Sequence, residues 1–431
     1  MPLKLDRRDP YFEMRFTELL AGKREAQQDV NDTVQAIIAD VRRRGDAALV
    51  DYTRRFDRME LEAGAIRLTD AEIDGAAAQC PAAVREALQF AAERIESYHR
   101  KLLPQDLDYE DASGARLGAR WRPLASVGLY VPGGAAAYPS SVLMNAVPAR
   151  VAGVTRLAMV VPTPGGTLNP AVMAAARIAG IGEIHRIGGA QAVAALAYGT
   201  PTIPPVDKIV GPGNAYVAAA KRLVYGQVGI DMIAGPSEIL VVADGENDPA
   251  WIAMDLLSQA EHDEAAQSIL ITDDAAFAGR VEAAVEAELA RAPRAAIARA
   301  SWASHGAIIL VERLEDAVPL VDRIAPEHLE LAVADPEPLS LRIRNAGAIF
   351  LGRYAPEAVG DYVAGPNHVL PTARSARFSS GLGVHDFLKR TSIVRCDAES
   401  LARLGPAAVT LARAEGLEAH ARAIAIRLNL P

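Results

Sequence analysis

The sequence predicts an α/β protein with two Rossmann-like lobes on largely parallel sheets, an N-terminal helical layer and a small C-terminal helical segment. Three observations carry that expectation. Short β-like runs alternate with helical runs from "RLAMVVPT" to "GAIFLGR", the rhythm of parallel strands joined by helical crossovers. Before that passage, from about Val30 to Leu103, apolar residues recur at spacings of three and four, as in helices that cover another layer. With 50% hydrophobic residues in 431, the chain can bury a large core.

Taken in order, "DVNDTVQAIIADVRRRGDAALVDYTRRFD" and "PAAVREALQFAAERIESYHRKLL" supply the helical layer, and "LGARWRPLASVGLYVPGG" is β-rich and bounded by Gly and Pro. A βαβαβ unit follows: "RLAMVVPT", the helix "NPAVMAAARIAG", "EIHRIGG", the helix "AQAVAALAYG", then "VDKIVGPG" and the helix "NAYVAAAKRLVYG". The alternation resumes with "SEILVVAD", a helix from Pro249, "SILITDD", an Ala-rich helix, "GAIILVE", another helix, "LELAVAD" and "GAIFLGR". Past Tyr354 the text is loop-rich and ends in helices from Pro406. The expected domains are 1–25, an extension packing with the C-terminal region; 26–129 with 239–380, the first α/β domain; 130–238, the second; and 381–431, a helical tail.

Composition excludes several functions. The formal charge is −9, and Lys and Arg are scattered among Asp and Glu without a basic block, which argues against a nucleic-acid partner. No run of about eighteen apolar residues appears, so no membrane association is expected, and the first residues lack a signal-peptide pattern. A cytoplasmic protein is the expectation. Cys80 and Cys396 are the only cysteines, so a bound metal must use N and O ligands.

A parallel lobe usually binds its ligand at the carboxyl ends of its strands, where helix N-termini point outward. "IVGPGNAYVAAAK" sets Gly211, Gly213 and Asn214 between a strand and a helix, although Tyr216 stands where a third fingerprint glycine would be; a tight turn explains the loop equally well. "GLYVPGGAAAYPSS" is a second Gly-rich turn, in which Tyr130 could stack on a flat ring. Upstream of "DLLSQAEHDEAAQSILIT", Asp248 is a good N-cap and Pro249 a good first residue for a helix to about Asp263. Gln259 and His262 then share a face at its C-terminal turn. Imidazole is a good zinc ligand, glutamine an uncommon one, and a surface histidine with a capping role fits the pair as well. Further candidates are Glu327 and His328 in "APEHLEL", Asp361 and His368 in the loop "GDYVAGPNHVLPT", and Glu415 and His420 in "EGLEAH", with Gly416 separating two helices.

At these motifs the sequence resembles the histidinol dehydrogenases, from about Val30 to the final helix, including "GIDMIAGPSEILVVAD". The resemblance implies oxidation of L-histidinol through L-histidinal to L-histidine with two NAD, the end of histidine biosynthesis. It implies one zinc per subunit on Gln259, His262, Asp361 and His420, with Glu327 and His328 as the acid/base pair. Ser237, His368 and Glu415 are implied to line the substrate pocket with the metal and acid/base residues, and Tyr130, Gln191 and Asn214 to contact NAD. Family members are intertwined homodimers, so His420 and Glu415 are implied to serve the partner's pocket. Neither cysteine falls in a motif, which favours water over a thiolate as the nucleophile of the aldehyde step. Open alternatives are the same machinery acting on another alcohol such as a sulfonated diol, a regulatory nucleotide-binding protein with a vestigial metal site, a zinc hydrolase, and manganese in place of zinc.

Overall fold

In the computed structural model, which describes residues 1–22, 30–133, 138–233 and 235–430, fourteen strands form three sheets. In chain order they are β1 (Leu3–Asp6), β2 (Leu107–Glu110), β3 (Arg116–Pro123), β4 (Ser126–Tyr130), β5 (Arg156–Val160), β6 (Glu183–His185) and β7 (Lys208–Val210). After them come β8 (Gly229–Ile230), β9 (Glu238–Ala243), β10 (Gln267–Thr272), β11 (Ala307–Leu310), β12 (His328–Ala332), β13 (Ala348–Leu351) and β14 (Leu388–Arg395). A six-stranded sheet runs β1-β11-β10-β9-β12-β13 and a five-stranded sheet β6-β5-β4-β7-β8, and every pair in both is parallel. β14-β3-β2 is a small antiparallel sheet. The two-lobed parallel architecture expected from the alternation is therefore present. β9 and β10 are buried at every position, as strands covered on both faces must be, which is why they read as continuous apolar runs.

Domain allocation differs from expectation. Val34, Ile37, Val41 and Leu49, from the helices Asn31–Arg44 and Asp46–Asp57, share a core with Val193, Leu196 and Val217 of the five-stranded lobe. Leu88 and Ile95 of Ala82–Lys101 pack with Leu129, Leu143 and Met173 of the same lobe. The helical layer in 26–129 thus covers the 130–238 lobe rather than completing the 239–380 one, because its apolar stripes match the free faces of that sheet. β4 is likewise the central strand of the five-stranded sheet, so a division at 129/130 would cut it.

Nor do the described residues 1–22 pack with the C-terminal region. β1 extends the six-stranded sheet beside β11, and Phe12 and Phe16 bury against Leu240, Ile271 and Ile309. The 25/26 boundary lies outside the described residues. At the far end, β14 was not anticipated: it is exposed along almost its whole length yet pairs with β3 over eight residues. The final helices begin at Ala398, not Pro406, behind a capping box formed by Asp397 and Ser400, and Pro406 is carried inside the helix Ala398–Ala414. Gly416, at φ +72°, does separate this helix from Glu418–Ala425. Among the described residues no helix is long and apolar enough to cross a membrane.

Candidate active site at the junction of two sheet edges

His328 opens β12 with Glu327 immediately before it, Ser237 immediately precedes β9, and the helix Pro249–Ala260, the element before β10, carries Gln259 near its end. All of these lie at the amino edge of the six-stranded sheet, whereas the sequence-based expectation for a parallel lobe was the carboxyl edge. Asp248 does cap that helix, accepting from Ala250 N, and Pro249 is its first residue. The helix stops sooner than expected, at Ala260, so Gln259 is in its last turn and buried, while exposed His262 follows in a turn whose N–H donates to the Gln259 carbonyl. Asp361 is on a short helix, Glu357–Tyr362, rather than in a loop.

The backbone of one residue, Glu238, orients both Glu327 and His328. The Glu238 N–H donates to Glu327 Oε2 at 2.9 Å, and the Glu238 carbonyl lies 3.0 Å from His328 Nδ1. A carbonyl only accepts, so Nδ1 carries the proton and, in the neutral ring, Nε2 holds the lone pair. That Nε2 is buried without a hydrogen-bond partner, 3.5 Å from Glu357 Oε1 and 3.9 Å from Asp361 Oδ1. Burial lowers the His328 pKa, opposed by the Asp361 charge and aided by the nearby His368 and His262, so the imidazole is kept as a base. Glu238 is itself held by Ala373 N, in a turn where Ala373 and Arg374 both have positive φ, a conformation that costs energy and needs its surroundings to enforce it.

His368 joins the two lobes at this point. Its Nδ1 faces the Asp361 carbonyl at 2.9 Å, and its Nε2 is 3.4 Å from the hydroxyl of Ser141, in the first turn of the helix Pro139–Ala152 of the other lobe. Asn367 fastens the same segment to the Met144 carbonyl.

Behind His328 lies a nest of carboxyl groups. Burial pushes Asp255 up to about 6, and burial reinforced by Asp255 pushes Glu330 well above the usual carboxylate range. Burial and then the charge of Asp361 push Glu357 up to about 9. Among the described residues no ion pair to Lys or Arg reaches Asp255, Glu330, Glu357 or Asp361. A divalent cation would relieve this crowding and lower the same groups. The oxygens that could hold one exist: Gln259 Oε1 and Glu357 Oε1 are buried and accept no hydrogen bond, and His328, Glu357 and Asp361 bring ligand atoms within 4.8 Å of one another. Sequence reasoning missed Glu357, although it stands one helical turn before Asp361.

The carboxyl edge of the five-stranded sheet opens toward the same junction. Tyr130 ends β4, but its ring is packed in the core and its hydroxyl accepts from Gly189 N at 3.0 Å, so neither ring face is free for stacking as first expected. Gln191 is buried in the first turn of the helix Gly189–Tyr198. The Asn214 side chain caps the helix Ala215–Val224 through the amides of Tyr216 and Val217. Part of the Gly-rich turn between β4 and the helix from Pro139 lies outside the described residues, as does residue 234 beside Ser237. Glu415 and His420 are not brought to this site within the chain. Both are exposed, on paired helices held together by Val409, Ala421 and Ala425 and tied by Arg403 to the Ser113 carbonyl near the β2–β3 hairpin.

The profile of the family described as histidinol dehydrogenase matches residues 20–428. The chain belongs to the histidinol dehydrogenase family. Proteins named histidinol dehydrogenase from Rhodospirillum rubrum and Bradyrhizobium diazoefficiens are 67% and 64% identical to it over 430 residues, covering 100% of this chain and 99% and 100% of theirs. The crystal structure of histidinol dehydrogenase from Elizabethkingia anophelis superposes with a TM-score of 0.95 at 35% identity, covering 99% of this chain and 98% of that one. The site thus belongs to an oxidoreductase of the histidinol dehydrogenase family, acting on a CH–OH group.

Proposed function

We propose that the chain oxidises L-histidinol through L-histidinal to L-histidine at the junction of the two sheet edges, with one zinc per subunit and two NAD per turnover. The observation that carries this reading is the buried, unpartnered Nε2 of His328, with its lone pair facing two carboxyl groups. Such an atom is built to take a proton, here from the carbinol hydroxyl, while Glu327 activates water for addition to the aldehyde, since no motif supplies a cysteine.

Gln259, His262 and Asp361 would hold the zinc from one chain and His420 from its partner. The donor set fits: one carboxylate, one amide and two imidazoles leave a dication with net positive charge, and the orphaned Gln259 Oε1 is an acceptor waiting for a cation. The ion would orient the amine and imidazole of the substrate, and NAD would accept hydride. Ser237, His368 and Glu415 would contact the substrate, with Ser141 fixing the His368 ring. Tyr130, Gln191 and Asn214 would serve NAD by shaping the crevice rather than by stacking, given the roles their side chains already have.

Exposure of His420 and Glu415 away from their own chain's site supports a homodimer with shared sites. Mixing His328→Asn and His420→Asn subunits under refolding conditions should restore about a quarter of wild-type activity if sites are shared, because half of the mixed dimers' sites carry both defects and half carry none. The reaction itself is tested by NADH formed per L-histidinol consumed. Two NADH, abolished by a chelator and restored by zinc, are expected; no NADH with bound zinc would move the reading to another alcohol.

A further inference from the structure

The backbone of the loop between β7 and the helix Ala215–Val224 is anchored by a buried ion pair. Lys221 and Asp231 form that pair, with side chains only 4% and 1% exposed. Asp231 Oδ2 accepts from Gly211 N at 2.7 Å and its Oδ1 from Met232 N at 2.7 Å, while Lys221 Nζ donates to the Gly211 carbonyl at 2.9 Å. Both polar groups of Gly211 are therefore held from behind by opposite charges. Gly211 has φ +121°, and a Cβ there would sit 2.1 Å from the Tyr130 carbonyl oxygen, so the turn is pressed onto the end of β4. Neither charged residue reaches the acid/base pair or the carboxyl nest through any hydrogen bond or ion pair among the described residues.

A buried pair is weak evidence of stability, since burying two charges costs about as much as their attraction returns. What it does give is a single geometry, because each donor and acceptor on Gly211 has a fixed counterpart. We propose that Lys221 and Asp231 are positioning residues for the cofactor: they lock the Gly211–Asn214 turn so that the amino end of the following helix meets a dinucleotide without rearrangement. The inference rests on the NAD reading above. Preorganisation of this kind acts on cofactor affinity and leaves substrate affinity untouched.

Asparagine cannot replace Asp231, because both of its carboxylate oxygens receive donors and an amide offers only one acceptor. Full-length Asp231→Asn, Lys221→Met and the doubly neutral combination should be titrated with NADH by fluorescence and with L-histidinol by calorimetry, with zinc content, melting temperature and hydrogen exchange of the Gly211 peptide recorded alongside. The expected result is NADH binding weakened by about tenfold or more, with faster exchange at Gly211 and histidinol affinity and zinc content within about twofold of wild type. Should the single variants fail to fold, the double variant, which leaves no lone buried charge, decides. A folded variant that binds NADH as wild type does overturns the positioning role. A wild-type protein that does not bind NADH overturns the cofactor reading, and this inference with it.

Discussion

The two parallel sheets meet at opposite edges, and their electrostatics differ accordingly. The five-stranded sheet presents its carboxyl edge, where the helices Pro139–Ala152, Gly189–Tyr198 and Ala215–Val224 begin with their positive dipole ends outward. The six-stranded sheet presents its amino edge, where Pro249–Ala260 ends and its negative pole lies beside Gln259. One edge suits a pyrophosphate and the other a cation. The carboxyl nest of Asp255, Glu330, Glu357 and Asp361 strengthens the second preference. A fold built of similar units thus presents two electrostatically unlike edges by facing them in opposite directions.

The largest expected effect comes from the reacting group itself. His328→Asn should lower kcat by about a thousandfold or more while NADH binding at the opposite edge is kept, and loss of both together would show that the edges are not separable. Next, Gln259→Ala should weaken zinc binding by roughly a hundredfold, read by competition with a chelator, again without loss of NADH affinity. Smaller is the pH effect. His328 is held below the ordinary histidine value by burial, so its neutral, proton-accepting form persists as pH falls and the acid limb of kcat/KM should lie below about 6.5. Phe350 lies beside the His328 ring, and Phe350→Ala, by admitting water, should move that limb back toward about 6.5.

Smallest is a purely structural effect in the helical layer. The Thr69 amide and then Arg186 hold the Glu72 carboxylate down at about 2, from an ordinary 4.5. A lowered acid contributes stability that is present above 4.5 and lost as pH falls toward about 2. Glu72→Gln should therefore lower the melting temperature at pH 7 by only about 1–2 °C, with the difference from wild type shrinking through that acid window.

Local signals were legible in the sequence. Asp248 and Pro249 marked a helix start, Gly416 a break, and the apolar runs the buried strands, because each depends on neighbours a few residues away. What depended on distant packing was not. β14 shows no apolar alternation because both its faces are exposed, and its partner β3 is far off in the chain. Amphipathic stripes in 26–129 announced a covering layer but not which sheet it covers. The motif histidines and carboxylates stand out in the sequence, yet the placement of Glu327 and His328 at an amino edge, the burial of the Tyr130 ring and the presence of Glu357 needed the strands' directions and the return of the short helix Glu357–Tyr362 over β12.

The measurement that bears most directly on the opposed-edge account is an anomalous difference map at the zinc absorption edge from crystals of the zinc-loaded protein. The account predicts one peak per subunit bounded by Gln259, His262 and Asp361, with the partner subunit's His420 completing the set. A peak held by His328, Glu357 and Asp361 instead would contradict it, because the metal would then occupy the lone pair assigned to the base.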